Sequence, residues 1–299
     1  MAEALTTEIT PADIEAVRQV ARVHSLDRYL SALLAPRAIR TDLIALAAFA
    51  GEIERVPLVV SEPALGEIRL KWWADWLNDL EAGTRTGNPV ADVFGWVVRR
   101  RAVSPTLIGE AIEARAQELY AGPFANEGEY RDFLCRTEGS LFRVAGEIAR
   151  TLRTTVGGDR FDDGPSGEAA LMEFGIAYGG ARQLLRLPMF VARGRWPLAS
   201  RGDGVGVVDA RFVDDPDMRK RADARRAEAV LAARTALAGA RSKAISLSPE
   251  IRVGGLPAAL VAPYLVALER QGDWLTSVAD IAPLARIWRL WLAHMSRRL

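Results

Sequence analysis

The chain has 299 residues, enough to bury a substantial core, and 49% of them are hydrophobic. Its 39 basic and 38 acidic residues leave a formal charge of +1, which gives no electrostatic reason to expect nucleic acid as a partner. A single cysteine, Cys135, excludes an intrachain disulfide framework, and two histidines far apart in the sequence argue against a histidine-based metal site.

Helical signals follow one another along the chain. Thr10 followed by Pro11 is an N-cap with proline at the first helical position, and Pro57 is expected to kink or end the third helix. Apolar spacing predicts helices over residues 11–23, 26–34, 38–56, 61–80, 89–101, 105–120, 127–152, 167–192, 217–243, 257–271 and 281–298. Glycine- and aspartate-rich stretches at 154–166 and 195–217 are predicted loops. Because no alternating β-branched segments are evident, we expect one all-α domain covering residues 1–299.

The N-terminal sequence MAEALTTEITPADIEAV lacks the basic and apolar regions of a secretory signal. No uninterrupted apolar run reaches the roughly 18 to 20 residues that a transmembrane helix needs. These two observations predict a cytoplasmic protein.

The last predicted helix, 281–298, combines tryptophan with arginine. One side carries large apolar residues, namely Ile281, Leu284, Ile287, Trp288, Trp291 and Leu292, and the arginines at 286, 289, 297 and 298 lie elsewhere. This pattern suits peripheral contact with a membrane, here the inner membrane, and it equally suits a terminal helix docked on a bundle. Both interpretations stay open.

Four sequence blocks in order carry a family resemblance. They are LLAPRAIR…IALAAFAGEIE within 33–54, GEIRLKWWADWLNDL at 66–80, EGSLFRVAGEIA at 138–149, and YGGARQLLRLPMFVARGRWPLA at 178–199. Together they resemble the squalene/phytoene synthase family. The resemblance implies an all-α isoprenoid-synthase bundle with a central, mostly apolar cavity.

The resemblance also implies a metal-dependent reaction, and it indicates which positions of this sequence correspond to the family's ionic residues. In that family, magnesium ions held by two aspartate clusters stabilise the diphosphate that leaves a prenyl substrate. The positions that correspond to the family's ionic residues are occupied here by Gly51, Glu54 and Leu58 around the first cluster, Phe142 in the central motif, and Gln183, Leu187 and Val191 around the second. If the register within the first block were shifted, Glu52 instead of Glu54 would occupy the position of the first cluster's carboxylate. No metal site and no cofactor are therefore expected.

Three functions stay open at this point. The leading prediction is a member without catalysis, resembling the branch of the family that assists assembly of respiratory complex I, with complex I subunits or assembly proteins as partners. The alternative is an active transferase that joins two prenyl diphosphates head to head, with magnesium held by Glu54 and an unrecognised carboxylate. A third is a carrier that holds a prenyl lipid in its cavity. Candidate phosphate contacts are Arg40, Arg186, Arg193 and Arg195, against the simpler interpretation that they form surface ion pairs.

Overall fold

The computed structural model describes residues 9–120, 122, 124–152, 164–200, 202, 208, 212, 214–275, 277–296 and 299. Within these ranges the regular elements are helices, which confirms the predicted all-α class. The α-helices are α1 (Pro11–His24), α2 (Leu26–Leu33), α3 (Arg37–Val59), α4 (Pro63–Asn78), α5 (Pro89–Arg101), α6 (Pro105–Arg115), α7 (Glu127–Leu134), α8 (Ser140–Arg150), α9 (Pro165–Val191), α10 (Pro216–Lys243), α11 (Pro249–Gly255), α12 (Val261–Arg270) and α13 (Pro283–Ser296). Tighter 3₁₀ turns cover Leu80–Ala82, Ala116–Leu119, Ala244–Ser246 and Leu256–Leu260.

Local sequence sets several helix starts. The Thr10 hydroxyl accepts from the Asp13 backbone N–H at 3.2 Å, and the Asp13 carboxylate accepts from the Thr10 backbone N–H at 3.0 Å. The Asn88 side chain likewise accepts from the Val90 N–H at 2.9 Å. Such caps satisfy backbone donors that have no partner within the helix, so these starts follow from sequence alone.

Three predicted elements differ in the structure. Pro57 lies inside α3, which continues to Val59 rather than ending at residue 56. The predicted helix 127–152 is divided by a π-helical segment, Cys135–Gly139. A helix begins at Pro249, ahead of the predicted start at residue 257. Much of the predicted loops at 154–166 and 195–217 lies outside the described residues.

The π-helical segment packs closely against α9. A Cβ at Gly175 would lie 2.5 Å from the Glu138 carbonyl oxygen, so glycine is what lets the two backbones approach. Widened π turns occur frequently at functional sites. In this protein the segment directs the Glu138 side chain into the interior, where it is buried.

The apolar core consists of two clusters. One gathers buried residues of α1, α3, α5 and α6, and the other gathers buried residues of α9, α10 and α12. Ion pairs between α3 and α9 connect them. The bundle interior is therefore apolar on both sides of a charged centre.

The larger grooves among the described residues lie away from that centre. One of about 710 Å³ lies between the ends of α10 and α13, and one of about 610 Å³ lies between α7, α9 and α10. The space beside Arg28 and Phe142 measures only about 20 Å³. The fold is the expected one, but charged side chains fill much of its middle.

One helical stretch in the described residues, Pro249–Arg270, is long and apolar enough to cross a membrane by length and composition. It is not an uninterrupted apolar run, since it contains Glu250 and Arg252. Because 67% of its apolar window is buried inside the protein, it has the character of a core helix.

Candidate functional site

The charged centre is organised first around Asp27, a buried carboxylate on α2. Asp27 accepts hydrogen bonds from the hydroxyls of Tyr178 on α9 at 3.0 Å and Tyr264 on α12 at 2.7 Å. The Arg286 guanidinium of α13 lies 2.9 Å from its other oxygen. One carboxylate thus joins its own helix, α2, to three helices from the second half of the chain, α9, α12 and α13.

Glu138 is the second buried carboxylate. It forms ion pairs with Arg28 of α2 and Arg115 at the end of α6. Arg28 also lies over the rings of Phe142, at 5.2 Å, and Tyr178, at 5.0 Å. A cation over an aromatic face is attracted by the ring quadrupole, so Phe142 contributes to this cluster without an ionic group.

Glu54 is the third, and it links α3 to α9. Its carboxylate lies 2.6 Å from Arg186 Nη1 and 3.4 Å from Arg182 Nη2. Residues four apart occupy the same helix face, so both arginines reach one acceptor. Burial raises the pKa of the Glu54 carboxyl, but the positive charges of Arg186 and Arg182 outweigh burial and hold that pKa well below its usual range.

Glu118 completes the set. It accepts from Arg115 Nη1 at 2.9 Å and from the Gln183 amide at 2.6 Å. Arg195 Nη1 donates to the Pro57 carbonyl at 2.6 Å and lies 3.4 Å from the Glu118 carbonyl oxygen. Burial lowers the pKa of the Arg195 guanidinium, and the nearby charge of Arg193 lowers it further.

The charges of this centre nearly balance. In the described part of the chain its four buried carboxylates meet five guanidinium groups: those of Arg28, Arg115, Arg182, Arg186 and Arg286. Asp280, largely exposed, pairs with Arg286 at 2.7 Å from the other side. A buried charge is stable only when it is paired, and each carboxylate here is held by at least one arginine.

The predicted phosphate contacts separate into two pairs. Arg186 pairs with Glu54 in the centre, and Arg195 lies beside the centre, where it donates to the Pro57 carbonyl. Arg40 donates instead to the Ala35 carbonyl at 3.0 and 3.2 Å, and Arg193 donates to the Met189 carbonyl on the surface. The four arginines therefore do not form one site.

The positions aligned with the family's ionic residues are distributed unevenly. Glu54, Phe142 and Gln183 lie in the charged centre, while Leu187 and Val191 are buried among apolar residues. Leu58 is half-buried on α3. At Gly51 a Cβ would approach the His24 Cβ to 2.8 Å, so the end of α1 occupies the space that a longer side chain needs.

Sequence reasoning did not identify Asp27, Arg28, Arg115, Glu118, Glu138, Arg182, Tyr264 or Arg286 as members of the site. Two signals were present: Arg182 and Arg186 are four residues apart on one helix, and Glu138 begins one of the four blocks that carry the family resemblance. Neither signal shows which charges meet. Among the residues that the structure describes, no three His, Cys, Asp or Glu side chains form a group suited to a metal ion.

Comparison with known proteins supplies a family. A family model described as squalene/phytoene synthase matches residues 21–297. Among curated proteins, complex I assembly factor 6 of NADH dehydrogenase (ubiquinone) is 27% identical in Bos taurus and 26% identical in Homo sapiens, over 130 residues. Each match covers 44% of this chain and 39% of the relative, so the similarity spans less than half of either protein.

Solved structures share the fold. A dehydrosqualene synthase crystallised with a ligand superposes with a TM-score of 0.75 at 13% identity, covering 96% of both chains. A squalene synthase from Alicyclobacillus acidocaldarius gives 0.67 at 17% identity, covering 89% of this chain and 98% of its own. At such identities the likeness concerns the architecture.

Proposed function

This chain belongs to the squalene/phytoene synthase family, and from that premise we propose that it is a non-catalytic member that assists assembly of respiratory complex I. The sequence relatives named above support the assembly role, since they are named as complex I assembly factors. The fold neighbours support the architecture only. The choice between assembly and catalysis therefore depends on the charged centre.

The observation that carries the proposal is the pairing of Glu54 with Arg182 and Arg186 across α3 and α9. In the family, the resemblance places magnesium and diphosphate between these helices. A magnesium site needs free carboxylate oxygens, whereas Glu54 is occupied by two guanidinium groups. Leu187 and Val191, on the facing helix, have no oxygen to offer. These residues do not fit a magnesium cluster, so the proposed function includes no magnesium-dependent ionisation of a diphosphate.

The chemical consequence is that α3 and α9 are joined by direct ion pairs, where the family resemblance places magnesium and diphosphate. A guanidinium held at 2.6 Å from a carboxylate, away from water, fixes α3 against α9 with no bound cation. The centre then contributes to a rigid bundle, and partners would meet the outer surface. This arrangement suits a protein that acts by binding other proteins.

The assembly role is tested by deleting the gene in its source organism. We expect less fully assembled complex I on native gels and lower NADH oxidation by membranes, with both restored by the wild-type gene. The Glu54→Asp variant retains the carboxylate, so its gene should also restore complex I content and NADH oxidation. It serves as a matched control for expression of a substituted protein. Normal complex I content and activity in the deletion strain would contradict the proposal.

The catalytic alternative is tested separately on purified protein. Farnesyl and geranylgeranyl diphosphates are incubated with and without magnesium, and pyrophosphate and lipid products are followed. We expect no turnover, in parallel with a family member that retains both aspartate clusters as the positive control. Magnesium-dependent product formation would replace our proposal with a head-to-head prenyltransferase.

A further inference from the structure

The outer face of α13 is apolar and exposed, although the helix is docked on the bundle. Its inner side is fixed by Arg286, Leu290 and Ala293, which are buried. Its outer side exposes large apolar side chains, from 42% to 81% of their surface: Leu284, Ile287, Trp288, Trp291, Leu292 and Met295. The structure thus confirms that α13 is docked on the bundle and leaves its outer apolar face accessible.

A basic groove adjoins this face. It has a volume of about 710 Å³ and is lined by Arg241 of α10, Arg252 of α11 and Arg289 of α13, with no Asp or Glu among the described residues that line it. Arg241 Nε donates to the Leu299 backbone oxygen at 2.6 Å, and Arg252 Nη2 donates to the Ile245 carbonyl at 3.0 Å. Guanidinium groups match the oxygens of a phosphate in geometry and charge.

Charge distinguishes this face from the other exposed apolar helix face. On α4, Ile68 and Trp72 are exposed by 66% and 40%, but the helix carries the acidic Glu67 and Asp75 among its basic residues. The sequence of α13, PLARIWRLWLAHMS, contains arginine and no acidic residue. Of these two helices, α13 is the one that pairs an exposed apolar face with basic residues and no acidic ones.

An anionic membrane surface fits this combination. Tryptophan and aliphatic side chains enter the boundary between headgroups and acyl chains, while arginines attract the phosphates. The six residues extend over most of α13, so the helix presents its whole length to a plane. A second copy of the chain fits poorly, because a twofold contact through this face would bring the exposed Arg289 side chains toward each other.

The geometry points to a phospholipid site: α13 lies on an anionic membrane, with its outer side chains in the interface and a lipid phosphate in the groove between Arg241, Arg252 and Arg289. This inference stands on the surface of α13 and does not depend on the proposed function. Loss of vesicle binding and loss of complex I assembly are separate measurements, so either idea can fail alone.

The test is flotation of the full chain with lipid vesicles. Vesicles of phosphatidylcholine alone are compared with vesicles of phosphatidylcholine and phosphatidylglycerol. We expect strong binding only to the anionic vesicles, weakened by added salt because surface charges are screened. The double variant Trp288→Ser, Trp291→Ser should reduce binding about tenfold, and Arg289→Gln about fivefold, because each removes part of the interfacial or electrostatic attraction.

A matched control comes from α4. The Trp72→Ser variant removes a tryptophan of similar exposure from a face of mixed charge, and it should leave vesicle binding unchanged. Thermal unfolding verifies that all variants are folded. Absence of binding to anionic vesicles, equal binding to neutral ones, or full binding by the double tryptophan variant would each overturn the inference. So would a dimer that the double variant converts to a monomer, since the face would then be covered by a second copy.

Discussion

Arginine and aromatic side chains meet in two regions of this molecule, and their surroundings differ. In the centre, Arg28 is buried and lies 5.2 Å from the Phe142 ring. On α13, the rings of Trp288 and Trp291 stack 5.1 Å apart in the open, with Arg289 exposed beside them. The same residue types are enclosed and paired in one region and left accessible in the other.

The difference between the two regions shows that burial determines how much a charged pair contributes to stability. In the centre, water cannot solvate an unpaired ion, so each carboxylate must keep its arginine. On the surface, water solvates both members of a pair and leaves little net gain. Substitutions in the centre should therefore change folding stability, and substitutions on α13 should change binding.

The largest effect is expected at Asp27. Replacing it with alanine leaves the Arg286 guanidinium and the hydroxyls of Tyr178 and Tyr264 without their shared acceptor. We expect a loss of about 3–5 kcal/mol in the free energy of unfolding, measured by urea denaturation. The Asp27→Asn variant keeps an acceptor for the hydroxyls and should lose less. If both variants match the wild type, the centre does not hold the bundle together.

The Glu54→Gln variant should show a smaller effect that depends on pH. At neutral pH we expect a loss of about 3 kcal/mol, because two guanidinium groups lose their carboxylate. The pKa of Glu54 is lowered in the folded protein from its ordinary value of 4.5. The unfolded chain therefore takes up this proton first as pH falls, and the wild type loses the contribution below about pH 4.5.

The measurement is urea denaturation of both proteins from pH 7 to pH 3. The difference between them should stay constant above about pH 5.5 and shrink by up to about 1.4 kcal/mol for each pH unit below 4.5. If the difference in the free energy of unfolding between the two proteins were the same at every pH, the charge of the Glu54 carboxylate would not contribute to stability.

An exposed ion pair should matter much less. Arg234 of α10 pairs with Glu269 of α12, and both side chains are about half exposed. Replacing Arg234 with alanine should cost at most about 1 kcal/mol and should become neutral at high salt, as measured by thermal unfolding. A loss as large as that at Asp27 would remove the distinction between buried and exposed pairs.

The smallest effect on stability is expected on α13. Replacing both Trp288 and Trp291 with serine should change the free energy of unfolding by no more than about 0.5 kcal/mol, because both side chains lie on the exposed outer face, with 59% and 42% of their surface accessible. The Leu290→Ala variant on the buried side of the same helix should cost about 2–5 kcal/mol. Equal losses on the two sides would mean that the outer face also packs in the folded protein.

Much of the fold was predictable because helix starts and apolar stripes are local. Thr10, Asn88 and the prolines that open α1 and α5 determine those helices with residues a few positions away. The helix predicted from residue 257 begins instead with α11, which contains Gly254 and Gly255, although glycine is a poor helix former. A Cβ at Gly254 would lie 3.0 Å from the Ala145 carbonyl carbon, so the glycine lets α11 pack closely against α8. Close packing between distant segments thus overrode a local signal.

The site was predictable only in part, for the same reason. Glu54 and Gln183 were identified through the family pattern, and both lie in the charged centre. Asp27 was not identified, because its partner Tyr264 is 237 positions away and no local pattern joins them. Single-domain organisation, cytoplasmic location and the absence of nucleic acid as a partner remain predictions.

The sequence by itself determined the helical class and, through its four blocks, the family, since these depend on residue identity and short-range spacing. Only the tertiary structure decided which arginine neutralises which carboxylate, and that α13 has one buried and one open face. Pairing and burial are properties of residues brought together from distant parts of the chain, and local periodicity does not specify those partners.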